Sequence, residues 1–395
     1  MSREFKREQR APKKMGESNP TMLFLFCVLI SFSLAPADAD GSVPALFVFG
    51  DSIVDSGNNV FVLNSTAVAD FPPYGVDFFA ATGRFTNARI LTDVLGQLLG
   101  LPDLIPCNLA PYAKGEKILH GLNYASAGSG ILDNTTTGAI VIPLNDQIAF
   151  FENSTLPELE ALLGENLTSY LASSIFAFNT GANDYITYCF GTTLTCDLPK
   201  FTDYLISVFA GQLKRMYSYG ARKFVLYSTE ACGCTPVVRS MGDGSCNELY
   251  SYGAILFNTL LNSSIDKLNE ELPGSSFVFA NVYTPLMEII ANPSTYGFEV
   301  VASGCCETST SSGGDVCVEN GTVCDDRSVY VYFDGGHPTD RVNAILSQLV
   351  YSSNLTSIAY PFNVQQLASI NASASASSAI LEPSESLVSH GRDVQ

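Results

Sequence analysis

The sequence predicts an α/β fold whose mostly parallel sheet is covered by helices on both faces, and two observations carry that prediction. Short runs rich in β-branched and aromatic residues recur: ALFVFG (45–50), SSIFAFNTG (173–181), RKFVLYS (222–228) and SSFVFANV (275–282). Between them lie segments with helical spacing. In FTDYLISVFAGQLKRMYSYG (201–220), Phe201, Leu205, Val208, Phe209 and Leu213 fall on one face and Gly220 supplies the stop; ELYSYGAILFNTLLNSSIDKLNEEL (248–272) reads the same way. Apolar strands alternating with amphipathic helices are the pattern of a parallel sheet buried on both sides. In such sheets the ligand site lies at the carboxyl ends of the strands, where Gly50 and Gly181 would sit.

Residues 40–360 show no internal repeat and no dividing linker, so they are expected to form one domain. Before them, six Lys or Arg between Arg3 and Lys14 precede MLFLFCVLISFSLAPADA (Met22–Ala39). A basic region, an apolar stretch shorter than the ~20 residues of a membrane span and an Ala-x-Ala ending are the marks of a secretory signal. The expected assignments are therefore a signal peptide over 1–39, a secreted mature chain and no transmembrane segment. After Pro361 the Ser/Ala-rich text has no core-forming pattern, so 361–395 is expected to be a disordered tail.

The mature chain has ten cysteines, an even number that suggests disulfides in an oxidising compartment. No metal site is expected: GCCETSTSSGGDVCVENGTVC has no His nearby and no paired Cys-x-x-Cys knuckles. Sequons begin at Asn64, Asn134, Asn153, Asn166, Asn262, Asn320, Asn354 and Asn371, which agrees with passage through a glycosylating pathway and places these segments at the surface. From Asp40 onward 14 basic residues face 35 acidic ones. That balance disfavours nucleic acid and anionic lipid as partners.

The chemistry-bearing residues are few. Of the three histidines, His337 stands out because DGGHPTD sets Asp334 three residues before it and Pro338, a helix-opening residue, after it. A carboxylate at that spacing can fix the imidazole tautomer and stabilise the imidazolium, making His337 a base. Ser52 follows the first strand directly, with Gly50 allowing a tight turn, and a serine paired with a histidine becomes an acyl acceptor. Acyl transfer also needs donors for an oxyanion. The Ser52 N–H, Gly128 in NYASAGSGI and Asn183 in GANDY can supply them without charge. Taken singly, each motif also suits an ordinary turn or helix cap. No Gly-x-Ser-x-Gly elbow occurs, which argues against the α/β-hydrolase fold.

Together, FVFGDSIVDSGNN, NYASAGSGI, GANDY and DGGHPTD, in that order, resemble the four blocks of the GDSL esterase/lipase family, the plant branch of the SGNH hydrolases. The likeness extends through PYGVDFFAATGRFTNARILTDVLGQLLGLP, GARKFVLY, ELPGSSFVFANVY and NPSTYGF and covers roughly residues 45–350. It implies a single three-layer, flavodoxin-like α/β/α domain that hydrolyses esters without a cofactor. Ser52 would be the nucleophile, His337 the base and then the acid, and Asp334 its orienting partner. Ser52, Gly128 and Asn183 would form the oxyanion hole. The implied partner is an ester substrate, a lipid or a small acylated molecule. An acyltransferase, a polysaccharide deacetylase or a silent binding protein on the same fold stay open at this level. Three departures from the family pattern stand out: Phe333 where a Trp is usual, Glu307 after Cys305 and Cys306 where a Gly is usual, and TEACGCTP (229–236) in place of PLGCxP.

Overall fold

The structure, a computed structural model, describes residues 43–135, 138–190, 196–309 and 315–371; the expected signal at 1–39 lies outside them. In chain order the strands are β1 (Leu46–Gly50), β2 (Ile175–Asn179), β3 (Lys223–Tyr227), β4 (Ser276–Ala280), β5 (Val300–Gly304), β6 (Tyr330–Tyr332) and β7 (Ala359–Tyr360). The helices are α1 (Leu91–Leu98), α2 (Leu144–Phe150), α3 (Leu156–Leu163), α4 (Leu167–Ser173), α5 (Ala182–Tyr185), α6 (Leu198–Ser218), α7 (Pro236–Ser240), α8 (Glu248–Glu271), α9 (Tyr283–Ala291), α10 (Asp340–Ser352) and α11 (Val364–Ser369).

The main sheet has the order β1-β2-β3-β4-β7, with β1 to β4 parallel and β7 antiparallel to β4. The outer side of β1 is also paired. Val48 N donates to Leu122 O at 2.9 Å, Tyr124 N to Val48 O at 2.7 Å and Ser126 N to Gly50 O at 2.9 Å, so residues 122–126 run beside it as a further parallel segment. The chain visits that side first and β2 on the other side next. Strand order therefore reverses at β1, and such a reversal opens a crevice at the strand's carboxyl end, here at Gly50 to Ser52.

Successive side chains of a strand point to opposite faces, and the sequence sorts them by type. Phe47, Phe49, Phe176, Phe178, Phe224 and Phe277 share one face. Their rings stack, at 4.8 Å for Phe49 and Phe178 and 4.2 Å for Phe224 and Phe277, beneath α2, α3, α4, α6 and α8. On the other face Leu46, Val48, Ala177, Val225 and Val278 meet α1, α9, α10 and α11. Two helical layers on one sheet make the three-layer α/β/α domain.

Several boundaries move. The helix expected from 201 starts at Leu198, because Pro199 opens it and Asp197 caps it by accepting from Lys200 N. Pro338 is not helical: it bridges antiparallel to Tyr332, and α10 begins two residues later. The domain also runs past 360. In the segment assigned to a disordered tail, α11 buries Val364 and Leu367 under the sheet, with Asn363 and Gln366 forming a reciprocal cap. Its apolar positions are too few to show as a pattern, while residues beyond 371 lie outside those described. Not all ten cysteines pair: Cys189–Cys196, Cys234–Cys246, Cys305–Cys324 and Cys306–Cys317 are bridged, and Cys107 and Cys232 are thiols. Seven sequon asparagines are exposed; Asn262 is half-buried in α8, with its Oδ1 buried and unpartnered. No helix among the described residues is long and apolar enough to cross a membrane.

Candidate active site

The site starts from Gly50, whose φ of 145° is open to glycine and whose added Cβ would lie 1.9 Å from Asn179 O. Gln147 clamps this residue on both sides, its Oε1 accepting from Gly50 N and its Nε2 donating to Gly50 O, each at 2.9 Å. The turn that follows is held by its own polar residues. Asp55 accepts from Gly57 N at 2.7 Å, Asn58 N at 2.8 Å and Ala127 N at 3.1 Å. Asn58 Nδ2 donates to Asn123 O and Ala125 O, and Asn59 Nδ2 donates to Ala127 O. These bonds fasten the Ser52 turn to the glycine-rich loop. Burial pushes the Asp55 carboxyl up to about 6 against the pull of those N–H donors and of Arg84.

The glycine-rich loop is tied in turn to α5. Asp184, fully buried, accepts from Ile131 N, Leu132 N and Thr135 Oγ1 at 2.6 to 3.0 Å, while burial pushes it up to about 6. Its neighbour Asn183 donates from Nδ2 to Ser129 O at 2.9 Å, one residue past Gly128. Gly128 has φ +83°, and neither its N–H nor that of Ser52 meets a protein acceptor among the described residues. Unengaged backbone N–H donors are what a developing oxyanion requires.

The third part comes from the loop between β6 and α10. His337 Nε2 lies 2.8 Å from Ser52 Oγ, and His337 Nδ1 lies 2.9 and 2.8 Å from the two oxygens of Asp334. Asp334 is wholly buried and also accepts from Gly336 N, His337 N and the Tyr74 hydroxyl, the last at 2.7 Å. Behind it, Phe333 packs at 5.7 Å on the ring of Tyr74 and its carbonyl accepts from Cys305 N and Cys306 N. Residues from early in the chain seat the start of α10: Thr86 Oγ1 donates to Pro338 O, Asn87 Oδ1 accepts from Asp340 N, and Arg89 makes a two-pronged pair with Asp340. Burial alone would pull the His337 pKa down; the charge of Asp334 and its hydrogen bond, with Asp315 and Asp51 further off, carry it up to about 9.

Of the five residues singled out by sequence, three meet in one crevice, Asp334 is joined to it through His337, and Gly128 adjoins it through Ser129, whose carbonyl accepts from Asn183. Ser52, His337 and Asn183 line a cleft of about 100 Å³ with Ile53, Ile186 and Tyr250. Larger surface hollows of about 440 and 540 Å³ contain none of the five, so cavity size does not point to the chemistry. Sequence reasoning missed Tyr74, Gln147 and the acidic groups Glu230 and Asp315. PPYG and NDQ carry no catalytic signal, although Glu230 stands in the loop that departs from the family pattern. With His337 neutral, the arrangement can take the Ser52 proton, hold the resulting imidazolium against Asp334 and present N–H donors to an oxyanion.

Comparison with known proteins agrees with this fold. The profile of the GDSL-like Lipase/Acylhydrolase family matches residues 46–350. Among curated relatives from Arabidopsis thaliana, GDSL esterase/lipase At1g71691 is 38% identical over 84% of this chain and 87% of its own length. GDSL esterase/lipase At1g29670 is 36% identical over 88% and 97%, and GDSL esterase/lipase 7 is 38% identical over 83% and 92%. With the family's profile spanning β1 to β6 and relatives aligned over most of their length, the chain belongs to the GDSL-like lipase/acylhydrolase family.

Proposed function

We propose that this carboxylic-ester hydrolase is a secreted serine esterase that works through an acyl-enzyme on esters with a short acyl group. The observation that carries the mechanism is the 2.8 Å contact of Ser52 Oγ with a histidine whose other nitrogen is held by a buried aspartate. Neutral His337 takes the Ser52 proton as Oγ adds to the ester carbonyl, and the carbonyl electrons move onto oxygen. The Ser52 and Gly128 N–H groups stabilise that oxyanion, joined by Asn183 Nδ2 once it leaves Ser129 O. Collapse of the adduct breaks the bond to the alcohol oxygen, which takes the proton from His337. Water then repeats the sequence on the acyl-Ser52 and releases the acid. The short-acyl reading is supported by the small cleft at Ser52, about 100 Å³ against about 440 and 540 Å³ for hollows elsewhere on the surface. Secretion is supported by four disulfides and by seven exposed sequons, with the signal over 1–39 as part of the proposal.

The test is hydrolysis of p-nitrophenyl esters of increasing chain length by the secreted protein and by Ser52→Ala, with and without an added alcohol. Turnover that peaks at two to four carbons and falls roughly 10⁴-fold or more in the variant is expected. Equal rates for the two proteins would sink the serine mechanism. A long-chain optimum would replace the short-acyl reading, and ester formed with the alcohol would make the protein a transferase.

A further inference from the structure

The loop after β3, TEACGCTP in place of the family's PLGCxP, carries Glu230, and the fold brings that residue to the cleft of the reacting pair. Glu230 is 7% exposed and lines the cleft that holds Ser52 and His337. Its Oε1 accepts from Asn179 Nδ2 at 2.9 Å; apart from its own backbone N–H, no other donor reaches this carboxyl among the described residues. No Lys or Arg lines the cleft, whereas Asp51 from the end of β1 and Asp315 from the loop before β6 do. The other oxygen of Glu230 is not sealed from the cleft, so a ligand that brings a donor or a positive charge can meet it there. His337 supplies charge only while it is protonated. A substrate with its own negative charge would meet three carboxyl groups.

We infer that the cleft selects esters whose alcohol part carries a cationic nitrogen, with Glu230 as the residue that determines this specificity and Asp315 supporting it. The inference rests on the serine-esterase reading above. The alcohol side is part of the inference: His337, which hands its proton to the leaving oxygen, shares the cleft with Glu230 and Asp315. The acyl group is left to the apolar wall of Ile53, Ile186 and Tyr250. Opposite charges in a partly desolvated cleft discriminate more strongly than they would in water.

A matched pair of thioesters tests this: butyrylthiocholine and its uncharged isostere, 3,3-dimethylbutyl thiobutyrate. Wild-type protein should favour the cation by about tenfold or more in kcat/KM, and Glu230→Gln should bring that ratio near one. The ratio also cancels the titration of His337, which both esters need. Burial pushes Glu230 up to about 7, so the wild-type ratio should climb between pH 6 and 8, a readout that needs no variant. The titratable groups facing Glu230 are Asp51, His337, Cys232 and Tyr332. Burial holds the Cys232 thiol and the Tyr332 phenol above their usual range, so both stay neutral across this window. A wild-type ratio near one, or one that Glu230→Gln leaves intact, overturns the inference while leaving a Ser52-dependent esterase standing. If neither thioester turns over, calorimetric binding to Ser52→Ala decides, and equal affinities overturn it.

Discussion

The two halves of the reacting pair are held in different ways. The Ser52 turn is fixed by polar side chains from the same stretch of chain, Asp55, Asn58 and Asn59, bound to a loop some 70 residues on and clamped by Gln147. The loop carrying Asp334 and His337 is seated by Tyr74, Thr86, Asn87 and Arg89, about 250 residues away, and is backed by two disulfides. A nucleophile on a tight turn needs a backbone that cannot relax. A base on a longer loop needs anchors brought from elsewhere, because local hydrogen bonds cannot fix where it stands relative to the first strand.

Breaking the first kind of support should have the larger effect. Gly50→Ala would drive a Cβ to within 1.9 Å of a β2 carbonyl at a φ that L-residues avoid, so β1 and β2 must separate at the switch point. A core clash of this kind is among the few single changes that exceed about 4 kcal/mol, a large part of a typical domain's stability. The expected outcome is little soluble protein and no cooperative melting transition. A folded variant with wild-type turnover would mean that the turn is not pinned.

The second kind should fail more gently. Cys305–Cys324 and Cys306–Cys317 close loops with separations of 19 and 11 residues. By loop entropy each contributes about 3 kcal/mol. Replacing each pair with Ser should lower the melting temperature by several degrees, with activity lost at temperatures where circular dichroism still reports a folded sheet. Simultaneous loss of both signals would show that the base loop is no separate unit and would erase the contrast with the nucleophile turn.

The same contrast explains what was legible beforehand. Strands β1 to β4 and helices α6 and α8 announce themselves by composition and period. Ser52, Asp334, His337, Gly128 and Asn183 show because each lies in a short block of special residue types. The segment 122–126 that completes the sheet does not, since LNYAS has neither a continuous apolar run nor strict alternation. Tyr74, Thr86 and Asn87 were invisible as supports for a similar reason: their partners lie about 250 residues downstream, and no local period encodes such a pairing. α11 was hidden because a six-residue helix with two buried apolar positions resembles Ser/Ala-rich tail text.

The smallest effect, and the most selective, belongs to Tyr74→Phe. The ring keeps its packing on Phe333 and Phe85, and only the hydroxyl that donates to Asp334 Oδ2 is lost. Hydrogen bonds to charged groups are worth about 1.5–3 kcal/mol. In wild-type protein the base must be neutral, so kcat/KM should rise with pH toward a plateau above about 9, the value to which Asp334 raises His337. Stability runs the other way. A histidine whose folded pKa lies above its unfolded value stabilises fully below that unfolded value, near 6.5, and the contribution is lost as pH climbs through 9. Without the tyrosine O–H, the Asp334 charge is shared with one donor fewer and holds the His337 proton more tightly. The rising limb should therefore move to higher pH, with kcat/KM at pH 8 about tenfold lower and largely recovered at pH 10. A uniform loss at every pH would make Tyr74 a packing residue only, and the distant support of the base loop would then rest on Thr86, Asn87 and Arg89.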